Sequence, residues 1–478
     1  MLSIPELVLL LVEFALSRTW LTLCLLSRNC NEIVQPHIWK TVVCRPPISF
    51  DNVQPYIRKH AHHVETLKID YLLEPGVEMF LLELSPFQHL PSITSLSLTY
   101  IQISVDHLSA LLAKSPHLKD IDIRGCILHK HALEILAPCK HIESMAFSHA
   151  DVIPSEEFDP STSFSPWPRL RRLIITSYQD TESNLSARQL EEAVNKSQLD
   201  LESLELSTMF WKDDTIAGVI MRNPNLKRLI LDGCSPSEQG WKQVLPSLAN
   251  LRFIGFSNRN TYNFDSRLNA ICGCPLIQHI DLQRFHIMYE QSKFLAETAT
   301  ALTSLTLGDC HFGSDGLRHI LDKCTGLVRL EVFSIVGTGV ARELFRKGPW
   351  ACSGLQELAL NNIVWTKAEM SSRETMKKSL GTMWTTLGKL SRLRVLKLRH
   401  KERTDSIGLG IHWFGAPSSF ERASLTGHGP WTQQDLVWIT ENHPRLDELE
   451  YVNGLKDESL QSWLRMSRPD VRHVRNPW

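Results

Sequence analysis

Thiols and imidazoles are the groups here best suited to metal binding or nucleophilic attack, and the chain carries eleven cysteines and twenty histidines among 478 residues. Their spacing argues against both chemistries. Cys272-Gly-Cys274 is a close thiol pair, but a closed zinc site needs four ligands and no second pair stands at zinc spacing. Ile271 and Leu276, on either side of that pair, read as apolar repeat core. His60, His62 and His63 crowd one short stretch and read as a solvated turn. Gly308-Asp309-Cys310 has no neighbouring base in a recognised nucleophile arrangement. The phosphate-cradling GxxxxGK[ST], the GxSxG elbow and the zinc-binding HExxH are all absent. The expectation is a chain with no catalytic residue, no metal and no cofactor: a binding protein, not an enzyme.

The elements behind these residues are set by a repeat. L-x-x-L-x-L returns about every 25 residues, clearest at Leu201-Glu-Ser-Leu204-Glu-Leu206, Leu226-Lys-Arg-Leu229-Ile-Leu231, Leu302-Thr-Ser-Leu305-Thr-Leu307 and Leu355-Gln-Glu-Leu358-Ala-Leu360. Copies begin near Val64, Ile93, Leu118, Ile142, Leu170, Leu201, Leu226, Leu251, Ile277, Leu302, Leu327, Leu355, Leu393, Phe420, Leu446 and Val471, with Phe420 degenerate and Val471 a cap. Period-2 alternation around the last two apolar positions predicts a strand with one buried face. Leu108, Leu111 and Leu112 recur at helical spacing after one such strand. No unit buries its own apolar edge, so the units must stack.

Three phrases end alike, in Arg124-Gly-Cys126, Asp232-Gly-Cys234 and Gly308-Asp-Cys310, where a small thiol suits a tight buried turn. This resembles the cysteine-containing subclass of leucine-rich repeats. The fold expected from it is α/β: a horseshoe solenoid with parallel strands on the concave face and helices outside. Two places break the period. Residues 151–168 read as a Pro- and Ser-rich loop, and Ala368 to Leu390 as an enlarged helix.

Apolar content of 43% and charged content of 22% fit a globular chain, and a formal net charge of −1 gives no general attraction to nucleic acid or anionic membrane. The expectation is therefore no nucleic acid and no membrane. Scattered cysteines favour a reduced compartment, cytoplasmic or nuclear. Leu7 to Val12 is apolar but bracketed by Glu6 and Glu13, too short to span a bilayer, and not preceded by Lys or Arg as a signal peptide would be.

The first 45 residues differ from the rest. Ser3-Ile-Pro-Glu6 has the form of a capping box, and the Leu7–Val12 run is apolar all round, so its helix must be covered on more than one side. A segment this short rarely stabilises itself without metal, disulfide or partner. Ile4-Pro5-Glu6-Leu7, Leu25-Leu26-Ser27-Arg28, Asn31-Glu32-Ile33 and Pro36-His-Ile38-Trp39-Lys40 resemble an F-box. Cys30 stands where that family has Trp, and Ser17-Arg-Thr-Trp20 replaces its usual linker. Together the halves resemble the F-box leucine-rich-repeat proteins, with 1–45 the F-box-like helical domain and 46–478 the solenoid.

That resemblance implies the substrate receptor of an SCF-type ubiquitin ligase. Its F-box docks on a Skp-family adaptor, and through it on a cullin-RING scaffold, while the repeats hold an unknown protein target. Adaptor binding would fall to Ile4, Pro5, Leu9, Leu16, Leu25, Leu26 and Trp39, each of which could equally form the core of the small helical bundle. Alternation assigns target binding on the concave face to Asp122, Arg124, Glu205, Asp232, Asp281, Glu331, Lys397 and Arg399, with Arg284 one step further on. Two other readings stay open: a plain repeat scaffold whose first helices are a solenoid cap, and a regulator of an enzyme such as a GTPase.

Overall fold

The computed structural model describes residues 28–44, 55, 57–70, 81–82, 90–103, 105–129, 136, 138–148, 151–153, 167–176, 199–207, 213–257, 264–312, 315–333, 344–345, 348–363, 373–400, 421–426, 437, 441–443, 445–452, 462, 466–468 and 470–475. The chain divides into two compact units, Met1–Leu226 and Lys227–Trp478. Ile4, Pro5, Leu9, Leu16, Leu25 and Leu26 lie outside the described residues, as does most of the expected loop after residue 153.

Among the described residues unit one contains helix α1 (Arg28–Trp39), β1 (Thr41–Cys44), β2 (Thr66–Asp70), β3 (Leu81–Leu82), β4 (Ser95–Thr99), β5 (Gln102–Ile103), α2 (Val105–Ala113), β6 (Asp120–Arg124), β7 (Ile127–His129), β8 (Ser144–Ser148), β9 (Asp151–Ile153), β10 (Arg172–Thr176), β11 (Ser203–Ser207) and α3 (Asp213–Met221). Its main sheet is wholly parallel, in the order β1-β2-β4-β6-β8-β10-β11. A narrow second ribbon, β3-β5-β7-β9, runs beside it. Asp151–Ile153, read from sequence as loop, is therefore a strand. β1 lies ahead of the solenoid boundary expected at residue 46 and already pairs with β2.

Unit two contains β12 (Arg228–Asp232), α4 (Glu238–Val244), β13 (Phe253–Ser257), α5 (Phe264–Cys272), β14 (His279–Gln283), β15 (His286–Ile287), α6 (Tyr289–Thr298), β16 (Ser304–Gly308), β17 (His311–Phe312), α7 (Gly316–Lys323), β18 (Arg329–Phe333), β19 (Glu357–Ile363), α8 (Arg373–Gly388), β20 (Val395–His400), β21 (Arg422–Thr426), β22 (Glu448–Val452) and β23 (Arg472–Arg475). Its main sheet runs β12-β13-β14-β16-β18-β19-β20-β21-β22-β23, again all parallel. Consecutive helices α4 to α7 pack on one another in a second layer. The enlarged helix expected between Ala368 and Leu390 is α8, which buries Leu380, Met383, Trp384 and Leu387.

Each of the sixteen repeat phrases forms a strand of these sheets, the degenerate one at Phe420 included. The reason is local and repetitive. In most of the strands positions two and four are apolar and buried, as Leu67 and Ile69, Ile121 and Ile123, Leu229 and Leu231, or Leu305 and Leu307. Because side chains alternate, positions one, three and five face the other way. The backbone locks the register. In most repeats the carbonyl just before the strand accepts two amides from the next repeat, as Thr94 O does from Lys119 N (2.8 Å) and Asp120 N (3.0 Å), and Gln278 O from Thr303 N (2.8 Å) and Ser304 N (2.9 Å).

The turn after the strand is equally regular. Tyr100, Gly125, Gly233, Arg284 and Asp309 follow their strands with φ of 55°, 57°, 69°, 61° and 48°. Each donates its amide forward to the last strand residue of the next repeat, for example Gly125 N to Ser148 O at 2.7 Å and Arg284 N to Gly308 O at 2.6 Å. Gly125 is required twice over. Its φ is left-handed, and the Tyr100 ring rests where a Cβ would stand. The buried cysteine that follows turns back, so that Cys126 Sγ donates to Leu98 O and Cys310 Sγ to Leu282 O, both at 3.3 Å. Burial pushes these thiols up to about 11 and about 12.

A second thiol position escaped the sequence reading. Cys139, Cys274, Cys324 and Cys352 are buried three residues before the repeat's opening apolar residue, in a turn closed by amides such as Leu327 N to Cys324 O at 3.1 Å. Cys274 therefore has a packing role, and Cys272 is half-buried with the Thr298 hydroxyl 2.7 Å from its sulfur. Leu276, expected in the core, is 46% exposed, whereas its neighbour Ile277 is buried.

Candidate protein-binding face

The face opposite the buried ladders is where each repeat shows its variable residues. Asp122, Glu205, Asp281, Glu331 and Lys397 all occupy the middle position of a strand, as expected. Arg124 and Asp232 occupy the last position of theirs, and Arg399 stands opposite Asn361 and Thr426 in β20. Asp122, Glu205, Asp232, Asp281 and Glu331 are half-buried, whereas Arg124 and Lys397 are exposed. Arg284 is exposed in its left-handed turn.

Several of these charges are used internally. Arg124, two residues from Asp122 on the same face, holds its carboxylate through Nη2 at 2.8 Å and Nε at 2.9 Å. Glu331 accepts from Arg329 Nη2 at 2.7 Å, and Arg329 Nε also lies 3.4 Å from Glu357. Asp281 accepts from Gln283 Nε2 at 2.6 Å. Burial raises the Asp281 carboxyl above its usual range, against the opposing pull of that hydrogen bond and of Arg228. In unit two the row sets charges apart with small residues: Thr306 separates Asp281 from Glu331, and Ala359 separates Glu331 from Lys397. Two strand steps put such neighbours about 10 Å apart.

A third outward row, the first position of each strand, was not singled out from sequence. In β12, β13 and β14 it carries Arg228, Phe253 and His279, side by side in register. The Arg228 guanidinium carbon is 3.8 Å from the Phe253 ring centroid. Phe253 and His279 stack with centroids 6.1 Å apart and planes 26° apart. Carrying the alternation one step back from the first apolar residue would have found all three. Along the strand-entry edge, ion pairs join neighbouring repeats: Lys40–Glu65 (3.2 Å), Lys119–Glu143 (3.9 Å) and Arg171–Glu202 (2.6 Å) in unit one, and Arg394–Glu421 (2.8 Å) in unit two. Each is exposed and screened by solvent, so each adds little to stability.

Of the residues assigned to adaptor binding, Trp39 alone is described. It ends α1 half-buried, its ring stacked on His60 with centroids 4.6 Å apart and planes 9° apart. His60 is thus buried under an aromatic ring and not part of a solvated turn, while His62 is exposed and His63 half-buried. The His60 imidazole is held below its ordinary range by burial first, then by Lys59, His63 and His62. Among the described residues no cluster of three or more His, Cys, Asp or Glu could hold a metal ion, and no helix is long and apolar enough to cross a membrane.

The arrangement is that of a leucine-rich-repeat array. Among solved structures the chain is similar to an internalin (inlF) from Listeria monocytogenes, with 13% identity over 88% of this chain and 89% of that one and a TM-score of 0.33. It is also similar to TLR13 in the TLR13-ssRNA13 complex, with 12% identity over 86% of this chain and 69% of that one and a TM-score of 0.38. No family model and no curated protein matches the chain.

Proposed function

We propose that this chain is a non-catalytic recognition subunit whose repeat array holds a protein target and whose first 45 residues tether it to a Skp-family adaptor of an SCF-type ubiquitin ligase. One observation carries the recognition half of this reading: three outward rows of side chains, free of the duty of filling the core, line successive parallel strands. The tethering half is supported by the F-box-like residues from Ile4 to Lys40. Such a subunit supplies proximity, raising the effective concentration of the target's lysines near a charged conjugating enzyme.

The reading is tested by co-expression with a Skp-family adaptor. The full chain should co-purify with it, a chain lacking residues 1–45 should not, and Pro5→Ala combined with Leu26→Asp should abolish the complex. Undiminished binding by that double variant would sink the docking assignment. The second reading, a scaffold whose first helices cap the solenoid, is favoured by the stacking of Trp39 on His60, which ties α1 to the first repeat. It expects a monodisperse protein with no affinity for the adaptor.

A further inference from the structure

Two imidazoles stand side by side on the short ribbon of unit two. β15 and β17 pair in parallel with His286 opposite His311, and the His311 amide donates to Phe285 O at 2.7 Å. The two rings are exposed, with centroids 5.8 Å apart and planes 39° apart. They face outward because their neighbours face inward: Phe285, Ile287 and Cys310 are all buried. The alternation runs one step past the strand. Met288 is still extended, with φ −72° and ψ 162°, so its side chain returns to the side of His286, and it is 54% exposed. Gln291 Oε1 accepts the Met288 amide at 2.8 Å and fixes this residue at the start of α6. One thioether and two imidazoles thus share an exposed face on a backbone that buried neighbours hold in place.

We propose that His286, His311 and Met288 hold a copper ion, as three-coordinate Cu(I). The site lies outside the recognition role and depends on neither the target nor the adaptor. The ring spacing fits a bridging ion. A metal–imidazole bond of about 2.0–2.1 Å puts the ion about 3 Å from each ring centre, so two rings bridged at a trigonal angle have centres about 5.5 Å apart. The ligand types select the metal. Imidazole suits zinc and copper alike, whereas a thioether is a soft ligand that favours Cu(I). Magnesium and calcium seek oxygen and find none in this set. Two imidazoles alone fall short of a complete site, and the thioether supplies the third ligand. The exposed turn residues two positions before the imidazoles, Arg284 and Asp309, carry opposite charges that offset one another.

Anaerobic titration of the full chain with Cu(I), against the chromophoric competitor bicinchoninate, tests this. The parent should withhold one more equivalent of copper than the double variant His286→Gln with His311→Gln, which keeps every cysteine and so measures copper taken up by thiols. Each single histidine variant should bind at least about tenfold more weakly, since even an outer partner of a metal ligand is worth about 10–100-fold. Met288→Leu should weaken Cu(I) binding severalfold and leave Zn(II) binding unchanged. All three side chains are exposed, so the metal-free melting curves of parent and variants should superimpose. Equal copper uptake by the parent and the double variant overturns the proposal and assigns the copper to thiols. Binding that is lost with the imidazoles but untouched by Met288→Leu also overturns it, in favour of a site with no preference for copper.

Discussion

Replacing Arg318 by methionine keeps the aliphatic stem and removes the fork. In the native chain this side chain is only 5% exposed on α7, with Nε on Asp322 at 2.9 Å. Nη1 donates to Leu344 O at 3.1 Å and to Gly348 O at 2.8 Å, and Nη2 to Pro349 O at 3.1 Å. One guanidinium thus clamps the helix of one repeat to the segment that leads into the next. The acceptors do not suffer equally. Leu344 O still receives Trp350 Nε1 at 3.0 Å, while Pro349 is exposed and Asp322 partly so, and water replaces the lost donor there. Gly348 O, half-buried, is left worst off. One poorly satisfied carbonyl costs about 1–3 kcal/mol, and lost bonds to a charged donor add about 1.5–3, part of it offset by no longer burying the charge. The expected destabilisation is about 2–4 kcal/mol. Hydrogen exchange followed by mass spectrometry should show it locally, as faster exchange in residues 344–360 with residues 95–124 unchanged. Arg318→Lys should recover less than half, since an ammonium cannot reach three carbonyls. A change below about 0.5 kcal/mol, or one spread evenly over both units, would refute the clamp.

Two further outcomes are expected. Gly125→Ala should cost about 1–2 kcal/mol from the left-handed φ alone and more from the displaced Tyr100 ring, whereas Gly308→Ala displaces only the flexible end of Gln283 and should cost less; urea denaturation of the two variants compares them. His443 is buried with its imidazole held down at about 4, by burial first and Arg468 second. The unfolded chain takes up its proton near 6.5 while the folded chain refuses it, so this group's contribution is whole above about 6.5 and is lost as pH falls toward about 4, amounting to about 2 kcal/mol at pH 5. Denaturation of the parent chain and of His443→Leu at pH 7 and pH 5 checks this; an equal acid loss in both would exclude His443 as its source.

The sheets were legible in the sequence because two aliphatic positions per repeat must be buried, and leucine at both leaves no other period. The first cysteine position was legible because Gly-Cys marks a turn. β1 was not, since Thr41-Val-Val-Cys44 lacks the leading Leu-x-x and adjoins the helical stretch that resembles an F-box. β9 hid within a Pro- and Ser-rich stretch whose composition says loop, though backbone pairing with β7 decided otherwise. Leu276 misled by its type: only the closing turn from Cys274 O to Ile277 N fixes which of two adjacent aliphatic residues points inward. On the candidate face, type and position were legible but partnership was not. Asp122–Arg124 was readable as two residues on one side of a strand, whereas the Arg228–Phe253–His279 stack joins three repeats and needs the register between strands.

The double acceptance of these pre-strand carbonyls uses main-chain atoms only, as does the forward tie of each left-handed residue. The stitching of one repeat to the next is thus indifferent to what the outward rows spell. Residues there can be rewritten repeat by repeat without renegotiating the architecture. A new specificity would be a change of lettering on an unchanged page.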